Sequence, residues 1–349
     1  MNKYIIQKYI QTQISGQNYI SKYLNKKNVN TPILTQLNMK VLGINVTQKM
    51  QPYIKLFRLQ QRTGYWLLYI PTTWSIAMAS STWIPNLKLL ELFSIGSFAM
   101  RSSGCIINDI IDRNIDNKVE RTKTRPLACK ELSLFKASIL LSGSLALSYK
   151  ILTQLNTYTI YLALPSVVMV PLYPLMKRIT HYPQLFLGLT FNWGVLLGWT
   201  SVYGCLNPFP YSFISPIALY LAAACWSVHY DTIYAHQDKL YDKQVGVYST
   251  ALHWGDNTRD ILNKNSLLIG LLLVTAGIAN NMQITYYCSV LMFVKSLLYQ
   301  SKQVNFNSPE QCQNAFSQNK YLSTILLFGI LTSKYLSNKD NSNETLNIE

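Results

Sequence analysis

"LLELFSIGSFAMRSSGCIINDIIDRNID" occupies residues 89–116. Most of it is apolar enough to lie in a bilayer, yet it ends by placing Asp109, Asp112 and Asp116 within eight residues, directly behind Asn108. The apolar part decides the fold class, and the acids at its end raise the question of function.

Apolar runs of this kind recur along the chain. Of 349 residues, 49% are hydrophobic and only 13% charged, against about 25% charged in soluble domains. Runs of about 20 apolar residues are long enough to span a bilayer as helices. They fall near 63–83, 88–108, 132–152, 156–175, 184–203, 212–233, 264–280, 282–301 and 319–337, with Asn280 and Asn281 marking the break between two of them. Backbone polar groups in lipid must be satisfied within the segment, which means helices, and the runs are too long and too little alternating for barrel strands. The sequence therefore predicts an all-α polytopic membrane protein with nine transmembrane helices.

Three segments follow. Residues 1–50 are basic and contain neither an acid nor an arginine. They read as a mitochondrial targeting sequence or, more plainly, as a basic tail of biased composition. Residues 51–338 form the membrane domain, and 339–349 a polar C-terminal tail. Lys and Arg concentrate in 51–62 and in the even-numbered loops, which assigns those loops to the cytoplasm-equivalent face. In a mitochondrial inner membrane that face is the matrix. The net charge of +16 thus gathers on one side, where it suits anionic headgroups or a phosphorylated substrate better than nucleic acid. The six cysteines form no C-x-x-C pair and the four histidines are dispersed, so neither a disulfide framework nor a zinc site is expected.

Six of the fifteen acids lie in two short places. Asp109, Asp112 and Asp116 fall at i, i+3 and i+7, and "DTIYAHQDKLYD" (231–242) sets Asp231, Asp238 and Asp242 at i, i+7 and i+11. On continuous helices each set shares a face. Both sets end even-numbered spans, so they lie on the same side of the membrane. A carboxylate deep in a bilayer costs roughly 2.5–3.5 kcal/mol, and like charges on one face repel. Mg²⁺ takes oxygen ligands from one or two carboxylates plus substrate phosphates, so two facing clusters are suited to gripping a diphosphate through Mg²⁺. Cations accompany them. Arg101 lies two helical turns deeper than Asn108 inside an apolar run, Arg121 and Arg125 follow in "RTKTRPLA" (121–128), and Lys177 and Arg178 occupy the next even loop.

These residues resemble the UbiA superfamily of intramembrane prenyltransferases. N-D-x-x-D-x-x-x-D is met by Asn108, Asp109, Asp112 and Asp116, and D-x-x-Y-A-x-x-D-x-x-x-D by Asp231, Tyr234, Ala235, Asp238 and Asp242. Within the superfamily, "YPLMKRITHYPQLFLGLTFNWGVLLGW" (173–199), "YDTIYAHQDK" (230–239), "GVYSTALHWGDNT" (246–258) and "SPEQCQNAFSQN" (308–319) resemble the 4-hydroxybenzoate polyprenyltransferases of ubiquinone biosynthesis. In the entry stretch "RLQQRTGYWLLYIPTTWS" (58–75), Gln60 stands where the family usually has Asp and Arg62 where it has Pro; Tyr241 replaces a common Asp.

The resemblance implies a ring of nine helices around a central cavity, capped by polar loops and open sideways to lipid. It implies Mg²⁺-dependent transfer of a polyprenyl group from its diphosphate to the ring carbon ortho to the hydroxyl of 4-hydroxybenzoate. Asp112, Asp116, Asp238 and Asp242, with Asn108 and Asp109 assisting, would hold the metal. Arg101, Asn108, Arg121, Arg125 and Lys177 would bind the diphosphate, and Asp231 is the candidate proton acceptor. Arg58, Tyr173, Asn192 and Tyr234 are candidates for contacting the acceptor or the carbocation, and membership of a quinone-synthesis complex is a further expectation. The rival readings are a UbiA-type enzyme with another acceptor, a secondary transporter, and a non-catalytic scaffold.

Overall fold

The computed structural model describes residues 39–41, 44–119, 121–206 and 212–346. The chain divides into two units, Met1–Gln51 and Pro52–Glu349. In the first, β1 (Met39–Val41) and β2 (Ile44–Val46) pair antiparallel. A 3₁₀ turn follows at Gln48–Met50; residues 1–38, 42 and 43 of the expected targeting segment 1–50 lie outside the described residues, as does the end of the polar tail.

The second unit is helical. A short α1 (Gln51–Leu56) leads to α2 (Thr63–Ala79), α3 (Leu87–Asp116), α4 (Leu134–Leu152), α5 (Thr157–Ile179), α6 (Pro183–Phe191) and α7 (Trp193–Tyr203). There follow α8 (Ile214–Ala235), α9 (Lys239–Val245), α10 (Thr250–Trp254), α11 (Thr258–Ala279), α12 (Ile284–Gln303) and α13 (Pro309–Leu346). Local chemistry starts the membrane helices where the apolar runs begin. Asn86, Ser133 and Asn156 cap α3, α4 and α5, each side chain accepting a hydrogen bond from the backbone N–H three residues on. Between α11 and α12, Asn281 takes a left-handed backbone (φ 51°) while the Asn280 amide donates to the Met78 carbonyl at 2.8 Å. That polar corner breaks two adjacent apolar runs as expected.

Packing order closes a ring: α2 against α3, α3 against α5, then α6, α8, α11, α12 and α13, with α13 returning to α2 and α4 lying against α3. Its core is aromatic. Trp74 of α2 meets Trp226 of α8 at 5.4 Å and Phe293 of α12 at 6.2 Å between ring centroids. Its indole N–H donates to the Ser323 carbonyl of α13. Rings of this size bury large apolar area and fix geometry between helices.

All nine expected spans fall on helices, with α6 and α7 sharing one. Among the described residues, four stretches are long and apolar enough to cross a membrane by length and composition: Leu134–Leu152, Thr157–Ile179, Pro183–Tyr203 and Thr250–Ala279. Of the others, α2 has 17 residues and α3 carries Glu91, Arg101 and its terminal acids. α13 continues as helix to Leu346, through the polar tail.

Candidate active site

α3 is helical through Asp116, past the expected end of its span, so the first motif lies wholly on one helix. Asp109, Asp112 and Asp116 are all buried, on the face the i, i+3, i+7 spacing predicts. The second motif behaves differently. α8 stops at Ala235, a tight 3₁₀ turn covers His236–Asp238, and α9 begins at Lys239. Asp231 therefore does not share one helix face with Asp238 and Asp242. The contact at the break is distant in sequence: His236 is buried and stacks on Phe306 at 4.6 Å between ring centroids. Burial also lowers the His236 pKa to about 4, so the ring sits there neutral. The break leaves Asp231 on the cavity wall and lifts Asp238 and Asp242 toward the first motif.

The two motifs meet across a small pocket of about 50 Å³, lined by Asp112 and Asp116 from one side and Asp238 and Asp242 from the other. It adjoins a cavity of about 1250 Å³ that reaches from Asp109, Asp231 and Asp238 to Leu145, Leu152 and Val167. One end is acidic and basic; the other is hydrocarbon.

Each motif acid but two is met by a cation. The Arg58 guanidinium donates to Asp109 at 2.6 Å, and Arg125 bridges Asp109 (3.3 Å) and Asp116 (2.7 Å). Lys177 and Arg178, in the last turn of α5, reach Asp112 at 2.8 and 3.2 Å. Arg121 donates from Nε to both oxygens of Asp238 (2.9 and 3.0 Å) and from Nη1 to the Tyr234 hydroxyl. Asp231 and Asp242 have no ion pair among the described residues. Burial, then the neighbouring Asp238, push the Asp242 carboxyl up to about 7. Arg101 has no carboxylate either: its Nε is buried without a partner, and the guanidinium lies over the Phe191 ring at 5.7 Å, pressed against Gly64. A Cβ at position 64 would collide with it, so glycine makes the room.

The other candidates separate. Asn108, Tyr173 and Tyr234 line the cavity. Arg58 lines it too, although its guanidinium is committed to Asp109. Asn192 is a correction: it is buried at the α6–α7 junction and does not line the cavity. Its amide donates to the Gly188 carbonyl (2.8 Å) and to Ser227 Oγ (2.7 Å), and Ser227 bonds the Tyr230 hydroxyl (2.8 Å). The Gly188 carbonyl also accepts the Asn192 backbone N–H at 3.1 Å, so main chain and side chain of one residue close the end of α6 on it. Residues that sequence reasoning passed over include Gly64 and the α13 stripe Gln313, Ser317 and Lys320, all on the cavity wall. A lysine at the start of an apolar run was the available signal.

Among the described residues no three acidic, histidine or cysteine side chains already converge as a metal cage. The donor set nonetheless suits a hard divalent cation. It is all oxygen, Asp109 Oδ2 is buried without a partner, and Asp238 and Asp242 crowd each other.

Residues 68–325 match the UbiA prenyltransferase family. The chain belongs to that family. The mitochondrial 4-hydroxybenzoate polyprenyltransferase of Dictyostelium discoideum is 46% identical over 84% of this chain and 63% of its own length; the chain thus spans less than two thirds of that relative. The corresponding protein of Drosophila pseudoobscura pseudoobscura is 43% identical over 84% of this chain and 73% of its own. A solved UbiA homolog from Archaeoglobus fulgidus, bound to GPP and Mg²⁺, superposes with a TM-score of 0.59 at 17% identity, covering 81% of this chain and 100% of that one. The ring of helices is the UbiA fold.

Proposed function

We propose that this UbiA chain transfers a polyprenyl group from polyprenyl diphosphate to 4-hydroxybenzoate, at the carbon ortho to the hydroxyl, in ubiquinone synthesis. The observation that carries the proposal is the junction of the two acidic motifs, ringed by Arg and Lys, at the head of a cavity whose far end is hydrocarbon. Such a space matches a ligand that is half anion and half lipid. The names of the relatives support the acceptor.

In this reading Asp112, Asp116, Asp238 and Asp242 hold Mg²⁺, with Asn108 and Asp109 assisting. The metal supplies Lewis-acid stabilisation of the leaving diphosphate. Arg121, Arg125 and Lys177 already border the acids, and Arg178 joins them. Diphosphate oxygens compete with the carboxylates for these donors, and charge-assisted bonds to phosphate stabilise the negative charge that grows on the leaving group. The C–O bond to the allylic carbon breaks, the ring carbon forms the new C–C bond, and the ring proton leaves. Asp231, unpaired on the cavity wall, accepts it. Tyr173 and Tyr234 present π faces to the allylic cation. Arg58 fixes Asp109, while Arg101 faces the anionic end of the acceptor. The enzyme works in the mitochondrial inner membrane with these residues on the matrix side, and a quinone-synthesis assembly is its setting.

The test is turnover by purified protein in nanodiscs, with 4-hydroxybenzoate and polyprenyl diphosphates of several lengths, with Mg²⁺ and with EDTA. Mg²⁺-dependent product, lost in Asp112→Ala and Asp238→Ala, supports the proposal. Folded protein that prenylates only another acceptor would overturn the substrate, and inactivity with every acceptor would overturn the reaction.

A further inference from the structure

The cations that line the large cavity fall into two groups. Lys55, Arg58, Arg121, Arg125 and Lys177 are each engaged by a carboxylate. Arg62, Arg101 and Lys320 line the same cavity and have no carboxylate partner among the described residues. Arg101 is half-buried on the cavity wall, its Nε buried without a partner, and has a role in the proposed reaction. Arg62 and Lys320 have none.

Arg62 is the N-cap residue of α2, exposed, with no side-chain capping bond. Lys320 is half-buried on α13, where Gln313, Ser317 and Lys320 fall at i, i+4 and i+7 and face the cavity together. Among the described residues its ammonium lies over the neighbouring Tyr321 ring at 4.7 Å. α2 and α13 pack against each other, tied by the Trp74–Ser323 bond. Gln60, Gln61 and Arg62 before α2 and Gln313, Ser317 and Lys320 on α13 all line the cavity, and Gln60, Gln61, Arg62 and Gln313 are exposed. Leu145, Leu152 and Val167 give the cavity an apolar wall, with Leu145 and Val167 exposed.

The two substrates proposed above have opposite solubilities. The donor is a lipid and can enter sideways from the bilayer. The acceptor is a small aromatic carboxylate, for which the hydrocarbon region is a barrier of several kcal/mol; it needs a wet path. A cleft lined by one sign of charge over low-dielectric walls raises the local concentration of the opposite ion and its rate of entry.

We propose that Arg62 and Lys320, flanked by Gln60, Gln313 and Ser317, form a separate aqueous entrance that captures the aromatic carboxylate acceptor and passes it inward to Arg101. The inference rests on the functional reading above. The two charges act on capture, before the chemical step. They therefore govern kcat/KM for the acceptor and leave both kcat and the use of the donor alone.

The experiment measures steady-state kinetics in nanodiscs of neutral lipid for wild type, Arg62→Gln, Lys320→Gln and the double variant, each at low and high salt. Expected is a fall of about 10-fold in kcat/KM for 4-hydroxybenzoate in the double variant at low salt. Alongside it, kcat and the donor KM stay unchanged, the difference from wild type shrinks in high salt, and Arg62→Lys with Lys320→Arg restores the wild-type value. A kcat/KM within about twofold of wild type would overturn the proposal, as would a loss confined to kcat or to the donor KM. Should Lys320→Gln fail to fold, Lys320→Met and the Arg62 variant carry the same comparison. Wild type that gives no product with 4-hydroxybenzoate would sink the functional reading itself, whereas an active wild type with unchanged variants sinks only the entrance.

Discussion

Asp109→Asn removes one negative charge from a site 1% exposed and strands the Arg58 guanidinium, while Arg125 keeps Asp116 at 2.7 Å. Arg58 donates to Oδ1 at 2.6 Å and Arg125 approaches it at 3.3 Å, with side chains 13% and 19% exposed. Losing one partner of a fully buried ion pair costs ~3–5 kcal/mol, and a hydrogen bond to a charged group is worth ~1.5–3 kcal/mol. Both arginines keep some solvent, and asparagine keeps one carbonyl oxygen, so the expected loss is ~2–3 kcal/mol. The strain is local to the α1–α3 tie, because Arg58 holds a left-handed backbone (φ 54°) that places its side chain on Asp109. At ~2–4 °C per kcal/mol for a domain of this size, thermal unfolding in detergent should fall by ~4–12 °C. A double-mutant cycle with Arg58→Gln isolates the pair, and a coupling above ~1 kcal/mol is expected. Coupling within ~0.5 kcal/mol of zero would refute the reasoning, since contacting residues that share a buried charge cannot then be what holds α1 to α3.

Arg101→Gln should raise the acceptor KM by about 10-fold or more, the scale of a lost charge-assisted bond; Gly64→Ala should move it the same way by displacing the guanidinium, and an unchanged acceptor KM in both would count against a role in binding. Asn192→Ala should cost ~1–3 kcal/mol of stability through the loss of two buried hydrogen bonds, to the Gly188 carbonyl and Ser227 Oγ, yet leave the acceptor KM alone, read by thermal unfolding beside kinetics. EDTA should abolish turnover reversibly while shifting the unfolding temperature little, because Arg125, Lys177 and Arg121 already offset the motif acids; a collapse of the fold on chelation would show the metal to be structural. Asp231→Asn, at a carboxylate with no ion pair, should lower kcat by about 100-fold or more if it accepts the ring proton, with no change in unfolding temperature.

Much of this was legible in the residues. Apolar runs placed nine helical segments because lipid leaves the backbone no other way to satisfy its polar groups. The first motif was readable to the residue: a helix of 3.6 residues per turn puts Asp109, Asp112 and Asp116 on one face, and all three are buried there. The second motif was misread for an equally physical reason. Periodicity assumes an unbroken helix, and α8 breaks after Ala235, where His236 stacks on Phe306, seventy residues downstream by sequence.

Sequence by itself thus determined the helical membrane fold and the face of α3 on which the first motif's acids lie, since these follow from hydropathy and spacing along one chain. Tertiary structure alone decided the partners. Which cation meets which acid, that Arg58 serves Asp109, that Arg101 is left unpaired beside Gly64, and that Asn192 turns toward Ser227 and away from the cavity all depend on contacts between helices far apart in sequence. Charge pairing falls off over a few ångströms, and no pattern along the chain encodes distances of that size between separate helices.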